Sequence, residues 1–110
     1  MTIEPQVREM LKVIVKNVKM VMPVSAIYLF GSYAYGTPNE NSDLDIYIVT
    51  SDKSKRRIDW AIQARKSFGA KVKYPIDLIV NYDDEFHNRS KINVSLEYEV
   101  ATKGINISAC

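Results

Sequence analysis

Three aspartates lie within apolar runs that otherwise have the character of buried β-strands. Asp43 and Asp45 belong to the run DLDIYIV (residues 43–49), and Asp77 belongs to IDLIV (residues 76–80). On a strand, Asp43 and Asp45 point to the same face, with their Cα atoms about 6–7 Å apart. An unpaired carboxylate buried there would cost several kcal/mol, or its pKa would rise until it was neutral. Carboxylate oxygens in this pattern are ligands that Mg²⁺ takes, usually together with water and substrate phosphate.

Three carboxylates on neighbouring strands repel one another unless cations neutralise them. Two Mg²⁺ ions about 3.5–4 Å apart, held by shared carboxylates, form the known clamp for in-line displacement at phosphorus. A plainer interpretation is also open: the Asp43–Asp45 pair could cap a turn or a strand start, and Asp77 could form an ion pair with Lys71 or Lys73. The carboxylates alone do not decide between the two.

A Gly31–Ser32 pair directly follows another apolar run, VSAIYLF (residues 24–30). Glycine allows close approach of a ligand to the backbone, and exposed N–H groups at a strand-to-helix turn form an anion-binding nest. The serine hydroxyl adds a donor for a phosphate oxygen. By itself such a pair is an ordinary turn. Followed after ten residues by Asp43 and Asp45, it is far more specific and indicates a phosphate site beside a metal site.

Hydrophobic periodicity predicts the elements that must position these groups. We expect a helix at 5–22, a strand at 24–30, a loop with one helical turn at 31–41, a strand at 43–49, a helix at 54–68, a strand at 72–80, a helix at 83–103 and a short strand at 105–107. This order predicts a single α/β (α+β) domain over residues 1–110, with a small mixed β-sheet flanked by helices.

Two of the predicted helices carry specific expectations about their buried faces. In the helix at 54–68, the expected stripe is Ile58, Ala61, Ile62, Arg65 and Phe68. In the helix at 83–103, the expected core contacts are Phe86, Ile92, Leu96 and Val100.

Composition narrows the class of protein. The chain has 110 residues, of which 46% are hydrophobic and 25% charged, as in a soluble globular domain. Fifteen Lys and Arg against thirteen Asp and Glu give a formal net charge of +2, which gives little support to a nucleic-acid partner. The single cysteine, Cys110, allows no disulfide within the chain, and no apolar run approaches the roughly 20 residues that cross a bilayer. We therefore expect a cytoplasmic protein without a membrane partner.

Other candidate sites are weaker. The sequence has neither a P-loop nor a Gly-x-Gly-x-x-Gly dinucleotide motif, and His87 is its only histidine, which excludes His-based metal sites. We expect His87 at the surface or at a helix cap and Trp60 in a packed position. Tyr33, Tyr35 and Tyr47 could stack on a nucleotide base, although packing at the core or its rim is the simpler role.

The segment YLFGSYAYGTPNENSDLDIYIV resembles the signature of the DNA polymerase β-like nucleotidyltransferase superfamily. The chain is similar in particular to the minimal nucleotidyltransferases, which consist of little more than the catalytic core. The resemblance implies the palm-like fold of that superfamily. It implies that Asp43, Asp45 and Asp77 hold Mg²⁺ (two ions) and that Asp77 also helps to deprotonate the acceptor. It further implies that Gly31 and Ser32 contact the triphosphate of ATP.

The resemblance also implies an activity and a partner. The expected enzyme is Mg²⁺-dependent, transfers a nucleoside monophosphate (AMP from ATP) to a hydroxyl acceptor, and releases pyrophosphate. Minimal nucleotidyltransferases are often encoded beside a HEPN-type ribonuclease toxin. This association implies an antitoxin role, in which AMP is attached to a tyrosine of the toxin. Because the chain is short, we expect the rest of the site to come from such a toxin or from a second copy.

One departure from the family pattern supports an alternative. Many minimal members carry Gly-Ser-x-Ala-Arg-Gly, whereas this chain has GSYAYG, with Tyr35 in the place of the arginine. Arg56, Arg57, Lys71 and Lys73 are candidates to replace the missing cation. The alternative is a catalytically weak or inactive binding module that keeps the fold and neutralises or scaffolds a partner by contact.

Overall fold

A computed structural model describes residues 4–38 and 42–110. The elements in chain order are α1 (Pro5–Val21), β1 (Ala26–Phe30), α2 (Ser32–Tyr35), β2 (Leu44–Thr50), α3 (Arg57–Phe68), β3 (Ile76–Tyr82), α4 (Asp83–Arg89), α5 (Leu96–Lys103) and β4 (Ile105–Asn106). The short α2 is the single helical turn that was expected after the first strand.

The four strands form one mixed sheet in the order β3-β2-β1-β4. Strand β1 is antiparallel to β2, so the end of β1 meets the start of β2, and Phe30 lies opposite Asp45. Strand β3 is parallel to β2, so its start lies at the same end of the sheet, with Asp77 opposite Asp45. The predicted mixed sheet flanked by helices is confirmed. Its topology brings the end of β1 and both aspartate strands together.

Apolar side chains cover both faces of the sheet. Helices α1 and α3 pack on one face, where Leu44, Ile46 and Ile48 of β2 join the larger cluster of buried residues. On the other face, Tyr47 and Val49 of β2 belong to a smaller cluster with residues of α4 and α5. The alternation predicted for β2 is therefore confirmed. It puts Asp45 on the α4–α5 face of the sheet.

Helix α1 illustrates how the sequence sets these elements. Pro5 occupies its first turn, where a missing N–H breaks no hydrogen bond. The apolar residues that recur at helical spacing along α1 are buried against the sheet. The helix ends at Val21, and Met22 is extended because Pro23 follows it.

The predicted helix at 83–103 is wrong, because the structure has two helices there. Helix α4 ends at Arg89, and α5 begins only at Leu96. Ser95 caps the new start: its Oγ accepts the N–H of Tyr98 at 3.0 Å and donates to the Arg89 carbonyl at 2.7 Å. The hydrogen bonds by which Ser95 caps the start of a new helix compete with those of a continuous helix. The chain therefore turns between α4 and α5.

The break changes which side chains reach the core. Val100 is fully buried, and Phe86 is half-buried against the smaller cluster. Ile92 and Leu96, also expected in the core, are 49% and 36% exposed. Both belong to the region around the break, where no continuous helix turns them towards the sheet.

The buried stripe of α3 also differs from the prediction. Trp60, Ala64 and Phe68 face the core, whereas Ile58 and Ile62 are 58% and 48% exposed. Trp60 is the largest apolar side chain of the helix, and its indole N–H donates to the Asp52 carbonyl at 2.9 Å. The orientation that buries Trp60, as expected of it, turns the two isoleucines outwards.

A buried carboxylate fixes α5 on the sheet. Glu97 is 6% exposed and accepts hydrogen bonds from the Tyr47 hydroxyl at 2.8 Å and from Arg89 Nε at 2.7 Å. Asn81 Nδ2 donates to the same Tyr47 hydroxyl at 3.1 Å. Burial acts to raise the pKa of Glu97, but the hydrogen bonds from Arg89 and Tyr47 outweigh it, so the pKa lies below its ordinary value.

Within the ranges that the structure describes, none of the helices combines the length and the apolar character needed to cross a membrane.

Candidate active site

The three aspartates of the sequence prediction lie at one end of the sheet. Asp43 directly precedes β2 and is exposed, whereas Asp45 lies within β2 and is half-buried. Asp77 is the second residue of β3 and is exposed. The register places Asp45 and Asp77 side by side on neighbouring parallel strands, which run about 4.8 Å apart.

Burial raises the pKa of Asp45, and the charges of Asp77 and then of Asp43 raise it further. The three carboxylates are therefore close enough to repel one another. No ion pair of the described residues involves any of the three, so the alternative in which Asp77 pairs with Lys71 or Lys73 is not found. No cation of the described residues forms an ion pair that would neutralise the negative charge of this site.

The donor set fits a hard cation, although it is not a preformed cage. In the part of the chain that the structure describes, no three or more His, Cys, Asp or Glu side chains converge as one metal-binding group. Mg²⁺ needs no such cage, because it binds one or two carboxylates and completes its shell with water and phosphate. Asp45 and Asp77 supply oxygen donors of this kind from adjacent strands.

Gly31 touches the central carboxylate of this group. Its φ is 74° and its ψ is −158°, a region that is essentially confined to glycine. A Cβ atom at this position would lie 2.0 Å from Asp45 Oδ2. The close approach that glycine permits here is therefore to Asp45 itself, and the turn after β1 fits against the Asp45 carboxylate.

Ser32 begins α2 and directly follows Gly31, the residue that meets Asp45. The Gly31 carbonyl accepts the N–H groups of Ala34 and Tyr35, each at 3.0 Å, which closes the helical turn. The first N–H groups of a helix have no acceptor within it. Ser32 therefore offers a hydroxyl and an N–H at the same end of the sheet as the aspartates.

Tyr35, the residue that departs from the family pattern, lies close to this group. Its hydroxyl is buried and makes no hydrogen bond of normal geometry among the described residues, although the Glu99 carboxylate lies close enough to interact with it. Burial raises the pKa of Tyr35, and the carboxylates of Glu99 and Asp45 raise it further. Glu99 of α5 is thus a further carboxylate near the site, and sequence reasoning missed it. The capping serine Ser95 was the available signal, because it sets where α5 begins.

Of the four cations that could replace the family arginine, three are bound elsewhere. Arg56 and Arg57 form ion pairs of 2.9 and 3.5 Å with other surface residues, and Lys71 donates a hydrogen bond of 2.7 Å to a side chain of α1. Lys73 has no ion pair or hydrogen bond among the described residues. It lies four positions before Asp77, ahead of the start of β3.

Most of the tyrosines that could have stacked on a nucleotide base have packing roles in the structure. Tyr47 is fully buried, so it cannot stack on a base. The Tyr33 hydroxyl forms a hydrogen bond with the Tyr74 hydroxyl, which raises the pKa of Tyr33 to about 12. His87 is exposed in the last turn of α4, as expected of a surface residue.

The sequence and the fold both resemble known nucleotidyltransferases. A candidate protein adenylyltransferase of Methanocaldococcus jannaschii is 53% identical over 34 residues, which are 31% of this chain and 23% of that protein. The match thus spans less than a quarter of that relative's length.

Two solved structures share the fold. A candidate nucleotidyltransferase of Sulfolobus solfataricus superposes with a TM-score of 0.62 at 20% identity, covering 92% of this chain and 78% of that one. A toxin–antitoxin complex with AMP-PNP contains a chain that superposes with a TM-score of 0.56 at 26% identity, covering 87% of this chain and 70% of that one.

The family assignment rests on most of the chain. Residues 7–104 match the family described as the nucleotidyltransferase domain. This range includes the Gly31–Ser32 turn, Asp45 and Asp77, and it confirms the resemblance to the minimal nucleotidyltransferases. The chain is a member of the nucleotidyltransferase domain family.

Proposed function

We propose that this chain is a Mg²⁺-dependent nucleotidyltransferase that transfers AMP from ATP to a hydroxyl group of a protein partner and releases pyrophosphate. The observation that carries the proposal is the pairing of Asp45 with Asp77 on parallel strands, where neither forms an ion pair with a described residue and Asp45 lies against Gly31. Family membership supports the reaction class. The relative named as a candidate protein adenylyltransferase supports a protein acceptor, and the related complex with AMP-PNP supports ATP as the donor.

Each residue of the site has a distinct role in this proposal. Asp43, Asp45 and Asp77 would hold the metal, which when bound offsets the negative charge of the phosphates. Gly31 keeps Asp45 in place because no larger residue fits against that carboxylate. Asp77, exposed at the start of β3, accepts the proton of the acceptor hydroxyl. The acceptor oxygen forms a bond to the α-phosphorus as the bond to pyrophosphate breaks.

The triphosphate would lie against the turn after β1. Ser32 donates its hydroxyl and the first N–H groups of α2 face the phosphates, as the family pattern implies. Lys73 supplies the positive charge that the family obtains from arginine, because it has no other partner among the described residues and precedes Asp77. Lys71 is not available for this role, since it is bound to α1.

The partner is proposed to be a HEPN-type toxin that carries the acceptor tyrosine, with a second copy of the chain as the other candidate. The structural neighbour from a toxin–antitoxin complex supports a protein partner of this class. Residues 1–110 would act as one unit, because both apolar clusters are built on the same sheet. The acceptor would approach the exposed side of Asp77.

Incubation with ATP, Mg²⁺ and the product of the adjacent gene, followed by intact-mass analysis of both proteins, tests the proposal. We expect the partner to gain one AMP unit and the solution to gain pyrophosphate. The Asp45→Asn variant should give neither product while it remains folded. Full transfer by that variant would refute the mechanism. Modification of this chain instead of the partner would favour a second copy as the acceptor.

The second candidate function is a binding module without useful catalysis. It is favoured by Tyr35, a neutral residue that stands where the family pattern has a cation and whose buried hydroxyl lies near Glu99. Thermal unfolding with millimolar Mg²⁺ and AMP-PNP separates the two functions, because a ligand that binds the native state must stabilise it. An unchanged Tm would favour the module, and a raised Tm the enzyme.

A further inference from the structure

Strand β3 is an edge of the sheet within residues 4–38 and 42–110, since β2 is its only neighbour among the strands there. The Pro75 carbonyl accepts the N–H of Leu44 at 2.9 Å, which directs the backbone of Pro75 towards β2. Backbone groups of successive residues in a strand point to alternate sides. The backbone groups of Ile76, Leu78, Val80 and Tyr82 therefore point away from β2, along the free edge.

Only the two ends of this free edge have partners among the described residues. Arg65 donates to the Ile76 carbonyl at 3.0 Å, and the Tyr82 N–H donates to the Asn81 side chain at 2.8 Å. Leu78 and Val80, at the centre, have no edge-side partner within the described ranges. An exposed row of this kind is a template for a further strand.

An open groove of about 850 Å³ runs along the same edge. The start of α3, with Arg57 and Ile58, forms one wall, and Glu85 and Arg89 of α4 form the other. Next to it, Ile58, Ile62 and Leu78 line an apolar pocket of about 540 Å³. The groove therefore offers backbone partners at its floor and an apolar surface beside them, which is the arrangement used to bind extended peptides.

The charges around the groove select the occupant. Helix α3 and the residue before it carry four basic side chains (Arg56, Arg57, Arg65 and Lys66) against one acidic side chain, Asp59. Arg56 is paired with Asp59, and Arg57 is paired with Glu85 across the groove. Arg65 and Lys66, which line the apolar pocket, are therefore the two without a carboxylate partner among the described residues. A second copy placed edge to edge would bring these basic helices side by side, and like charges oppose that pairing. An acidic segment from another protein complements them.

We propose that the free edge of β3 binds an extended segment of a partner protein, rich in acidic and β-branched residues, which adds to the sheet as a fifth strand. Its backbone pairs with Leu78 and Val80, and its apolar side chains cover Ile58 and Ile62, which are about half exposed in the chain alone. Its acidic groups meet the basic residues of α3. This surface does not depend on catalysis, so it can be tested whether or not the chain transfers AMP.

The probe is a synthetic nine-residue peptide of alternating Glu and Val. Amide hydrogen exchange of the chain, measured residue by residue, reports its binding. At ten times the Kd, mass action predicts that exchange of Leu78 and Val80 slows about tenfold. Two control peptides have the same length: one has Lys in place of Glu, and one has N-methyl groups that remove the pairing N–H donors.

Lys66→Glu, beside the groove, should weaken binding of the Glu/Val peptide, and Lys12→Glu, on the exposed side of α1, should not. Four results would overturn the proposal: no binding of the Glu/Val peptide, equal binding of the Lys or N-methyl peptide, protection outside β3, or equal effects of the two variants. Protection of Leu78 and Val80 that grows with protein concentration in the absence of peptide would overturn it in favour of a second copy.

Discussion

Replacing Gly31 with alanine tests whether the turn after β1 is fitted to the Asp45 carboxylate. The new Cβ would lie 2.0 Å from Asp45 Oδ2 and 3.0 Å from its Cγ, far inside normal contact distance. The backbone conformation of Gly31 adds strain of about 1–3 kcal/mol for any residue with a Cβ. Overpacking against Asp45 adds about 1–3 kcal/mol more, or displaces the carboxylate instead. We expect a lower free energy of unfolding together with loss of nucleotide transfer.

Gly36→Ala is the matched control. Gly36 has a φ of 79° in the left-handed region, but a Cβ there meets nothing within 4 Å. This substitution should cost only the conformational strain, about 1–2 kcal/mol. The difference between the two alanine variants therefore reports the contact with Asp45 together with the difference in strain between the two glycine conformations.

A double-mutant cycle with Asp45→Ala sharpens the test. Without the carboxylate, the nearest remaining Asp45 atom is Cβ at 3.4 Å, an ordinary contact, so the overpacking of Gly31→Ala should disappear. Urea unfolding should then give a coupling of about 1–3 kcal/mol between the two positions, if the carboxylate does not simply move away. A coupling near zero, with full nucleotide transfer by Gly31→Ala, would refute the proposed fit.

Four further predictions concern charged groups and one of their hydrogen bonds. The raised pKa of Asp45 means that its ionised form destabilises the fold. Asp45→Asn should therefore raise the free energy of unfolding at pH 7 in EDTA. Urea titrations at several pH values should show this gain shrinking as the pH falls towards 3.8, the ordinary pKa of an aspartate. Removing the hydroxyl in Tyr47→Phe should cost about 1–3 kcal/mol in urea unfolding, because Glu97 loses a buried donor. Because the pKa of Glu97 is lowered in the folded state, ionised Glu97 stabilises the fold above about pH 4.5. This stabilisation is lost as the pH falls through the pKa that Glu97 has in the folded state. The free energy of unfolding of Glu97→Gln should therefore fall less steeply in acid than that of the unmodified chain. Lys73→Ala should raise the KM for ATP in a pyrophosphate-release assay while Lys71→Ala leaves it unchanged; equal effects would remove Lys73 from the site.

Local pattern predicted the parts of the site that depend on neighbours in sequence. Alternation along β2 placed Asp45 on the correct face, and the Gly31–Ser32 turn appeared where the apolar run ended. The sequence predicted that the strands of Asp45 and Asp77 are neighbours, but not that the two residues lie opposite each other. The register depends on how two segments far apart in sequence align. Strand order is set by packing across the whole sheet, which periodicity does not contain.

The errors have the same physical origin. The burial of Trp60 sets the orientation of α3, although this orientation leaves Ile58 and Ile62 exposed. The break before α5 depended on the Ser95 cap, and that break brings Glu99 towards Tyr35. In each case a side-chain contact overrode the helical pattern: the tertiary packing of Trp60 in α3, and the local cap of Ser95 before α5.

The central claim is that Asp43, Asp45 and Asp77 form a metal-dependent nucleotide site. Isothermal titration of the chain with AMP-PNP, in Mg²⁺ and again in EDTA, tests it most directly. We predict binding that requires Mg²⁺ and is lost in Asp45→Asn and in Asp77→Asn, while both variants stay folded. Binding that is equally tight in EDTA, or unchanged in the two variants, would contradict the claim.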